Sequence, residues 1–215
     1  MAEILSLMDI YNLLFKNYGS QEWWPAKSPF EVVVGTILTQ NTNWKNVVTA
    51  IKNLRESNML NPHNLYYGDI NILKKNIRPA GFYNQKTIYL KNISKFIIEE
   101  LNYDITNLRN YRVSVARNML LNIKGIGFET ADSILLYAVK KLIFVVDLYT
   151  KRFLARVRIP LPLNNYNYIQ QYIMNNIDKD ITLYNEFHAL IVKHSKTFCR
   201  KKPLCDQCFL NSYCI

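Results

Sequence analysis

The sequence predicts an all-α protein, and two features of its pattern carry that prediction. Apolar residues recur at steps of three and four, as at Ile4, Leu7, Met8 and Tyr11, which is the spacing of one helix face. Period-two alternation and hairpin dipeptides are not found along the chain. Two short apolar runs, VVVG at 32–35 and KLIFVV at 141–146, resemble strands but do not outweigh the helical pattern.

Helix starts can be read from their capping residues. Ser28 precedes Pro29 and stands three residues before Glu31, which is the pattern of a capping box with proline at the first helical position. Asp147 is placed to cap the segment after it. Further helices are expected from about Asn43 to Arg55, from Asp69 through Lys75 and from Asn84 to Leu101, and residues 159–166 read as a linker.

Composition limits the classes of function. The 215 residues are 49% apolar, which excludes intrinsic disorder. A formal charge of +11, from 27 Lys and Arg against 16 Asp and Glu, favours a polyanionic partner, with nucleic acid ahead of an acidic membrane surface. With no signal sequence and no membrane span, the sequence predicts a soluble protein of the prokaryotic cytoplasm.

Two glycines mark the most distinctive turn. Gly125 and Gly127 stand between a helix predicted to end near Ile123 and another predicted to begin near Phe128. Glycine allows the positive φ of a tight turn and leaves the backbone open. The second helix would present its N–H groups at the turn, where a phosphate can bind. An ordinary corner between two helices is the alternative.

All four cysteines lie near the C-terminus, with five, two and five residues between them: Cys199, Cys205, Cys208 and Cys214. In a reducing compartment, four cysteines this close together indicate one metal centre rather than disulfides. Four thiolates suit tetrahedral zinc or a cubane iron–sulfur cluster.

These motifs together resemble a known family. KGIG at 124–127 followed by ETAD at 129–132 and VVD at 145–147 is similar to the helix-hairpin-helix DNA glycosylases of the endonuclease III superfamily. WWP at 23–25, LTQNTNW at 38–44 and RPAGFYNQK at 78–86 resemble the branch of 3-methyladenine (methylpurine) glycosylases. The resemblance covers nearly the whole chain.

The resemblance implies a two-lobed all-α fold. A six-helix barrel would occupy residues 27–138, with the helix-hairpin-helix at about 113–138. Residues 1–26 and 139–215 would form a second lobe, which carries the cysteine loop 199–214. The cysteine spacing resembles the [4Fe–4S] loop of the family, although the first gap is one residue shorter, so zinc stays open as the alternative.

The resemblance also implies roles in catalysis and base flipping. Asp147 matches the catalytic carboxylate, which stabilises positive charge on the sugar and orients water. Gln40 matches the residue that fills the gap left by a flipped base, and Phe82 or Tyr83 matches the wedge against the opposite strand. A helix cap is the alternative for Gln40, and core packing is the alternative for the two aromatics.

The same resemblance implies that further residues recognise the base. Trp24 and Trp44, with Pro25 stiffening the turn, match positions that stack on the base, and we expect the two rings to sandwich a cationic purine. Burial of both tryptophans in the core is the alternative. Glu129 stands where bifunctional members carry a nucleophilic lysine, so the enzyme would be monofunctional. Glu129 would lie near the flipped base or merely complement the helix dipole.

Other charged residues could either bind DNA or form an ordinary run of charges exposed to solvent. Arg200, Lys201 and Lys202 would face DNA phosphates from the first arm of the cysteine loop. His188 and Lys193 are expected to pack and to face solvent, respectively.

The predicted function is excision of alkylated purines, 3-methyladenine among them, from damaged double-stranded DNA by a monomer. The alternatives are a glycosylase for oxidised or mismatched bases and a non-catalytic protein that binds DNA through the hairpin.

Overall fold

The protein folds entirely from helices. A computed structural model describes residues 5–159 and 161–214, and within those residues it contains no β-strand. The prediction of an all-α fold is therefore confirmed. Residues 32–35 lie inside a helix, and residues 141–147 form no regular element. Residues 1–4, Pro160 of the predicted linker and residue 215 lie outside the described part of the chain.

The α-helices in chain order are α1 Leu7–Tyr18, α2 Pro29–Thr39, α3 Trp44–Glu56, α4 Pro62–Tyr67, α5 Ile70–Ile77, α6 Tyr83–Leu101, α7 Val113–Leu121, α8 Phe128–Ser133, α9 Leu148–Arg156, α10 Tyr166–Asn175 and α11 Ile181–Thr197. Short 3₁₀ turns lie at Arg78–Ala80, Ile105–Asn110, Cys205–Gln207 and Asn211–Tyr213. A π-helical segment, Ile134–Val139, directly continues α8.

The chain divides into two compact units. One runs from Trp24 to Lys141, and the other joins the residues up to Trp23 to those from Leu142 onward. The six-helix barrel was predicted to begin at residue 27 and to end at residue 138, which is three residues inside the Trp24–Lys141 unit at each end. The first unit contains α2 to α8 with the π-helical segment, and the second contains α1 and α9 to α11.

The Trp24–Lys141 unit is built around α2. All residues of α2 from Phe30 to Leu38 are buried, because this helix packs against α3, α6 and the π-helical segment. A helix that is apolar on all sides belongs in a core. This explains why its VVVG run imitates a buried strand in sequence.

The predicted caps form, with one correction. Ser28, Asn43, Asp69 and Asp147 each accept a backbone hydrogen bond at the start of a helix. The prediction that Glu31 closes a capping box at Ser28 is wrong. The buried Glu31 carboxylate accepts two hydrogen bonds from Arg55 Nη2, both at 2.9 Å.

The π-helical segment is fully buried from Ile134 to Val139. It ends at Lys140, whose φ of +62° is left-handed. Such wide turns are uncommon inside helices and recur at functional sites. This one places Tyr137 against the ring of Trp24.

In the other unit, α11 packs against both α1 and α9. Its buried face includes Tyr184, Phe187, His188 and Ile191, which recur at steps of three and four. The side chains of α9 and α11 therefore meet, and this contact builds the site around Asp147. No helix of the described residues is long and apolar enough to cross a bilayer.

Candidate active site and cysteine cavity

Asp147 is the N-cap of α9, and its carboxylate is held on both oxygens. Oδ1 accepts hydrogen bonds from the backbone N of Thr150 at 2.7 Å and from its Oγ1 at 2.9 Å. Oδ2 lies 3.6 Å from Nε2 of His188 on α11. Only 12% of the Asp147 side chain is exposed. The carboxylate is therefore fixed in position by α9 and α11 together.

Opposing effects set the ionisation of Asp147. Burial raises the pKa of the carboxyl group, but the hydrogen bond and charge of His188 and the two donors of Thr150 lower it further than burial raises it. The net pKa lies below the ordinary value of 3.8. Asp147 is thus an anion at neutral pH, although it is largely withdrawn from water.

His188, which the sequence assigned to packing, also lies against the candidate catalytic carboxylate. Its ring is buried and packs edge-on against Phe144, with centroids 6.2 Å apart, so packing is part of its role. It also faces Asp147 across the α9–α11 contact. The helical spacing of His188 with Tyr184 and Ile191 marked it as inward-facing, but no local pattern indicated its acidic partner.

Lys196 of α11, which interacts with the charge of Asp147, was also missed. Lys196 Nζ lies 5.9 Å from the ring centroid of Trp23 and 5.7 Å from that of Tyr149, within reach of a cation–π interaction with each. Burial lowers the pKa of Lys196, and the negative charge of Asp147 partly opposes this shift. A cation therefore stands near the carboxylate. Lys196 follows His188 by about two turns of α11, so the two residues lie on the same side of the helix, and this spacing could have indicated that Lys196 lies near Asp147.

The aromatic residues of the Trp24–Lys141 unit form a corner rather than a slot. The ring planes of Trp24 and Trp44 are 81° apart with centroids 5.4 Å apart, and Tyr137 lies 5.3 Å from Trp24. A base can be sandwiched only between roughly parallel faces with a ring's thickness free between them. The expected sandwich is therefore wrong for this structure, because the two rings touch edge to face. Pro25 is exposed beside them.

A close fit fixes Trp24 in this corner. A Cβ on Gly35 of α2 would lie 3.2 Å from the Trp24 ring, so glycine is what lets the ring approach the helix. Trp24 itself has a left-handed φ of +71°. Trp24 and Trp44 are both half-buried.

The hairpin between α7 and α8 is held by α6. Gly125 has a φ of +101°, and a Cβ there would overlap the ring of Tyr89. Asn92 Nδ2 donates to the carbonyl of Lys124 at 3.1 Å. Gly127 differs from the prediction, because its φ of −96° is open to any residue and a Cβ there would meet nothing within 4 Å.

The residues predicted to act on the DNA duplex lie around this hairpin. Gln40, the C-cap of α2, donates from Nε2 to the Gly125 carbonyl at 3.2 Å and to Thr130 Oγ1 at 3.1 Å. Glu129 is exposed in the first turn of α8. The side chain of Gln40 is therefore attached to the hairpin turn, and its role in filling the gap left by a flipped base stays a prediction.

The predicted wedge residues begin α6. Phe82 has a left-handed φ of +48° and is 68% exposed, so it is not a core residue. Tyr83 is half-buried, and the Arg78 guanidinium lies 5.7 Å from its ring centroid. Phe82 is therefore the more accessible of the two predicted wedge residues.

The four cysteines line one cavity of about 60 Å³, together with side chains of α9, α11 and the C-terminal loop. Cys199 Sγ accepts from Arg156 Nη1 at 3.3 Å, and Cys208 Sγ accepts from the Leu210 backbone N at 3.4 Å. Burial raises the pKa of the Cys208 thiol and raises that of Cys214 to about 11, with the other cysteines adding to both shifts. No group of three or more His, Cys, Asp or Glu residues in the described chain is arranged to hold a metal ion.

The basic run beside this cavity is partly structural. Arg156 donates to the carbonyls of Arg200 at 2.6 Å and Lys201 at 3.2 Å. Arg200 Nε donates back to carbonyls in the last turn of α11. Arg200, Lys201 and Lys202 are all exposed.

Comparison with known proteins identifies the family. The profile described as "HhH-GPD superfamily base excision DNA repair protein" matches residues 34–179. An inferred DNA repair glycosylase of Methanocaldococcus jannaschii is 48% identical over 96% of this chain and 94% of its own. The chain belongs to the HhH-GPD superfamily of base excision DNA repair proteins. It is a DNA repair glycosylase of that superfamily.

Other relatives are more distant. Endonuclease III of Sulfolobus acidocaldarius is 30% identical over 88% of this chain and 82% of its own. The crystal structure of H. pylori 3-methyladenine DNA glycosylase (MagIII) bound to 1,N6-ethenoadenine matches with a TM-score of 0.77 and 30% identity, covering 89% of this chain and 98% of that one. A non-covalent endonuclease III–DNA complex has a TM-score of 0.82 at 20% identity, covering 98% and 95%, and shares the fold.

The geometry of the hairpin gives a prediction about its two glycines. Gly125→Ala should lower the free energy of unfolding by at least about 1–2 kcal/mol, because alanine is strained at this φ and its Cβ overlaps Tyr89. Gly127→Ala, at an ordinary φ with open space around it, should leave stability nearly unchanged. Urea denaturation of the two variants measures the difference. Equal stabilities would contradict the assigned turn, and adding Tyr89→Ala to Gly125→Ala should recover part of the loss.

Proposed function

We propose that this glycosylase flips an alkylated, cationic purine such as 3-methyladenine out of double-stranded DNA and hydrolyses its N-glycosidic bond. The observation that carries the proposal is the ionised, nearly buried carboxylate of Asp147, held by Thr150 and His188. A plain helix cap needs neither burial nor a second partner from another helix, such as His188 of α11.

The chemistry requires a fixed negative charge. Departure of the base leaves positive charge on the sugar, and a preorganised carboxylate stabilises that charge without having to reorganise. Asp147 is ionised before substrate arrives, because His188 and Thr150 outweigh the effect of burial on its pKa. Asp147 would also orient the attacking water. A purine that is already cationic leaves as a neutral base, so no general acid is required.

Access to the base requires the duplex to open. The hairpin at 124–127 would bind the phosphate backbone through its N–H groups. Gln40 would fill the vacated position in the base stack, which requires it to exchange its hydrogen bonds to Gly125 and Thr130 for contacts with DNA. The exposed Phe82, with Tyr83 behind it, would wedge the opposite strand. Arg200, Lys201 and Lys202 would add phosphate contacts.

Selection of a cationic base would come from electron-rich rings. Trp24, supported by Tyr137, and Trp44 form an aromatic corner against which a flipped ring could stack, with Pro25 next to it. A cation gains about 0.5–1 kcal/mol from such a face when exposed and about 2 kcal/mol when desolvated. The relative from H. pylori, a 3-methyladenine glycosylase, supports this substrate over the oxidised or mismatched bases that are the alternative.

We assign a [4Fe–4S] cluster to Cys199, Cys205, Cys208 and Cys214. Four thiols spread around one cavity suit a cubane, since each iron takes one thiolate, whereas zinc needs all four at one atom. Nitrogen donors already reach two of the sulfurs, as in sites where hydrogen bonds offset thiolate charge. When bound, the cluster would cross-link the C-terminal loop. The cysteines would hold this loop and take no part in bond cleavage.

Asp147→Asn should abolish excision while leaving the fold intact. We expect the single-turnover rate on 3-methyladenine DNA to fall about 100-fold or more, because the charge is lost while asparagine still caps the helix. Asp180→Asn is the matched control, since Asp180 caps α11 in the same unit through a bond to Leu183 N of 2.6 Å. It should keep the wild-type rate. Equal activity of the two variants would refute the catalytic assignment.

Hydrolysis should proceed without strand cleavage, because the position of the nucleophilic amine is occupied by Glu129. Product strands should break only after alkali, and borohydride should trap no covalent adduct. Glu129→Lys supplies an amine at this position and serves as the positive control for trapping. Efficient trapping of the wild type would show that another lysine acts as a nucleophile.

The aromatic corner should matter more for a charged base than for a neutral one. Trp24→Leu and Trp44→Leu should each lower the excision rate of 3-methyladenine by about 2- to 30-fold relative to a neutral base such as uracil or hypoxanthine, which corresponds to a lost cation–π interaction of about 0.5–2 kcal/mol. Loss of folding would lower the excision rates of both bases alike, so the quantity to measure is the ratio of the rate on 3-methyladenine to the rate on the neutral base. If the wild type prefers a neutral oxidised, deaminated or mismatched base, the proposed substrate class is wrong while glycosylase activity stands.

A further inference from the structure

A chain of polar side chains with a buried histidine at its centre reaches the cysteine cavity from α1. The hydroxyl of Tyr18, at the end of α1, lies 3.0 Å from Nδ1 of His194 on α11. Nε2 of the same ring lies 3.5 Å from Cys208 Sγ. These three side chains, Tyr18, His194 and Cys208, form a relay. The relay connects three separate segments of one compact unit.

The imidazole of the relay is enclosed by aromatic rings. Only 1% of His194 is exposed, and the ring centroids of Phe153, Phe198 and Phe209 lie 5.6, 5.8 and 5.3 Å from its own. This enclosure holds the ring in one orientation, so its two nitrogens keep Tyr18 and Cys208 as their neighbours. A neutral imidazole carries one proton, so one of its nitrogens donates and the other accepts.

Cluster binding determines which nitrogen carries that proton. A cysteine that binds iron is a thiolate, which can only accept a hydrogen bond. Nε2 of His194 must then hold the proton and donate to Cys208 Sγ, which leaves Nδ1 as an acceptor. Tyr18 has a hydroxyl proton to give, so it donates to Nδ1 and fixes the tautomer that the sulfur requires.

We infer that His194 is a positioning residue for the iron–sulfur cluster, donating a hydrogen bond to Cys208 Sγ in the tautomer that Tyr18 selects. The inference rests on the cluster assigned under the proposed function. It gives a role to two residues outside the catalytic and DNA-binding sets, and it makes Cys208 the ligand whose sulfur receives both a side-chain and a backbone donor.

The expected effects concern the cluster rather than excision. A donor to a ligand sulfur stabilises the added negative charge of the reduced cluster, so its removal should lower the reduction potential. Partners of metal ligands typically change metal affinity by about 10- to 100-fold, so we expect His194→Phe to release iron to a chelator about 10-fold faster or more. Tyr18→Phe, which removes one oxygen, should shift both quantities in the same direction by less. His194→Gln should restore part of the loss, because its carboxamide can still donate.

The experiment uses full-length holoprotein purified without oxygen, with redox titration followed by electron paramagnetic resonance and iron release followed by absorbance. Tyr11→Phe, a hydroxyl removal on the same helix, should behave as wild type. If Tyr18→Phe and His194→Phe both keep the wild-type potential and release rate, the relay is only packing and the inference fails. Protein that contains zinc or no metal overturns the cluster itself and the inference with it, whereas the assays of Asp147 test the excision activity separately.

Discussion

Asp147 has to remain ionised although its carboxylate is almost withdrawn from water, and this requirement constrains the whole unit that contains it. Burial alone would favour the protonated acid. The main-chain N–H and hydroxyl of Thr150 supply donors from the first turn of α9, and His188 supplies a third group from α11. Both helices therefore contribute contacts that keep the carboxylate ionised despite its burial. The ring of His194 on α11 contributes to the packing of the two helices through Phe153 of α9, with the two centroids 5.6 Å apart.

A different constraint governs the Trp24–Lys141 unit. In the proposed function the hairpin offers its backbone to a phosphate, so it cannot cover that backbone with its own side chains and has to be held from outside. Gln40 from α2 and Asn92 from α6 bond to carbonyls of the turn, and Tyr89 lies against Gly125. Rigidity and exposure are thus supplied by different residues.

The sequence predicted the helices well, because capping residues and periodic apolar positions are local signals. Ser28, Asn43, Asp69 and Asp147 cap helices in the structure as their spacing indicated. Features that depend on contacts distant in the chain were missed. Nothing local could reveal that His188 faces Asp147, or that Arg55 takes the carboxylate of Glu31. The edge-to-face packing of Trp24 on Trp44 was missed for the same reason, since residue type says which rings can stack but not at what angle.

The π-helical segment after α8 makes the length of this helix as important as its composition. Each residue of an α-helix turns the chain by about 100°, so a wider turn accommodates an additional residue without rotating the rest of the helix. Removing one residue between Ile134 and Val139 would restore α-helical winding and turn Tyr137 away from Trp24. The hairpin at one end and the aromatic corner at the other are therefore kept in phase by a count of residues. The number of residues in this buried segment is therefore constrained as well as their side chains.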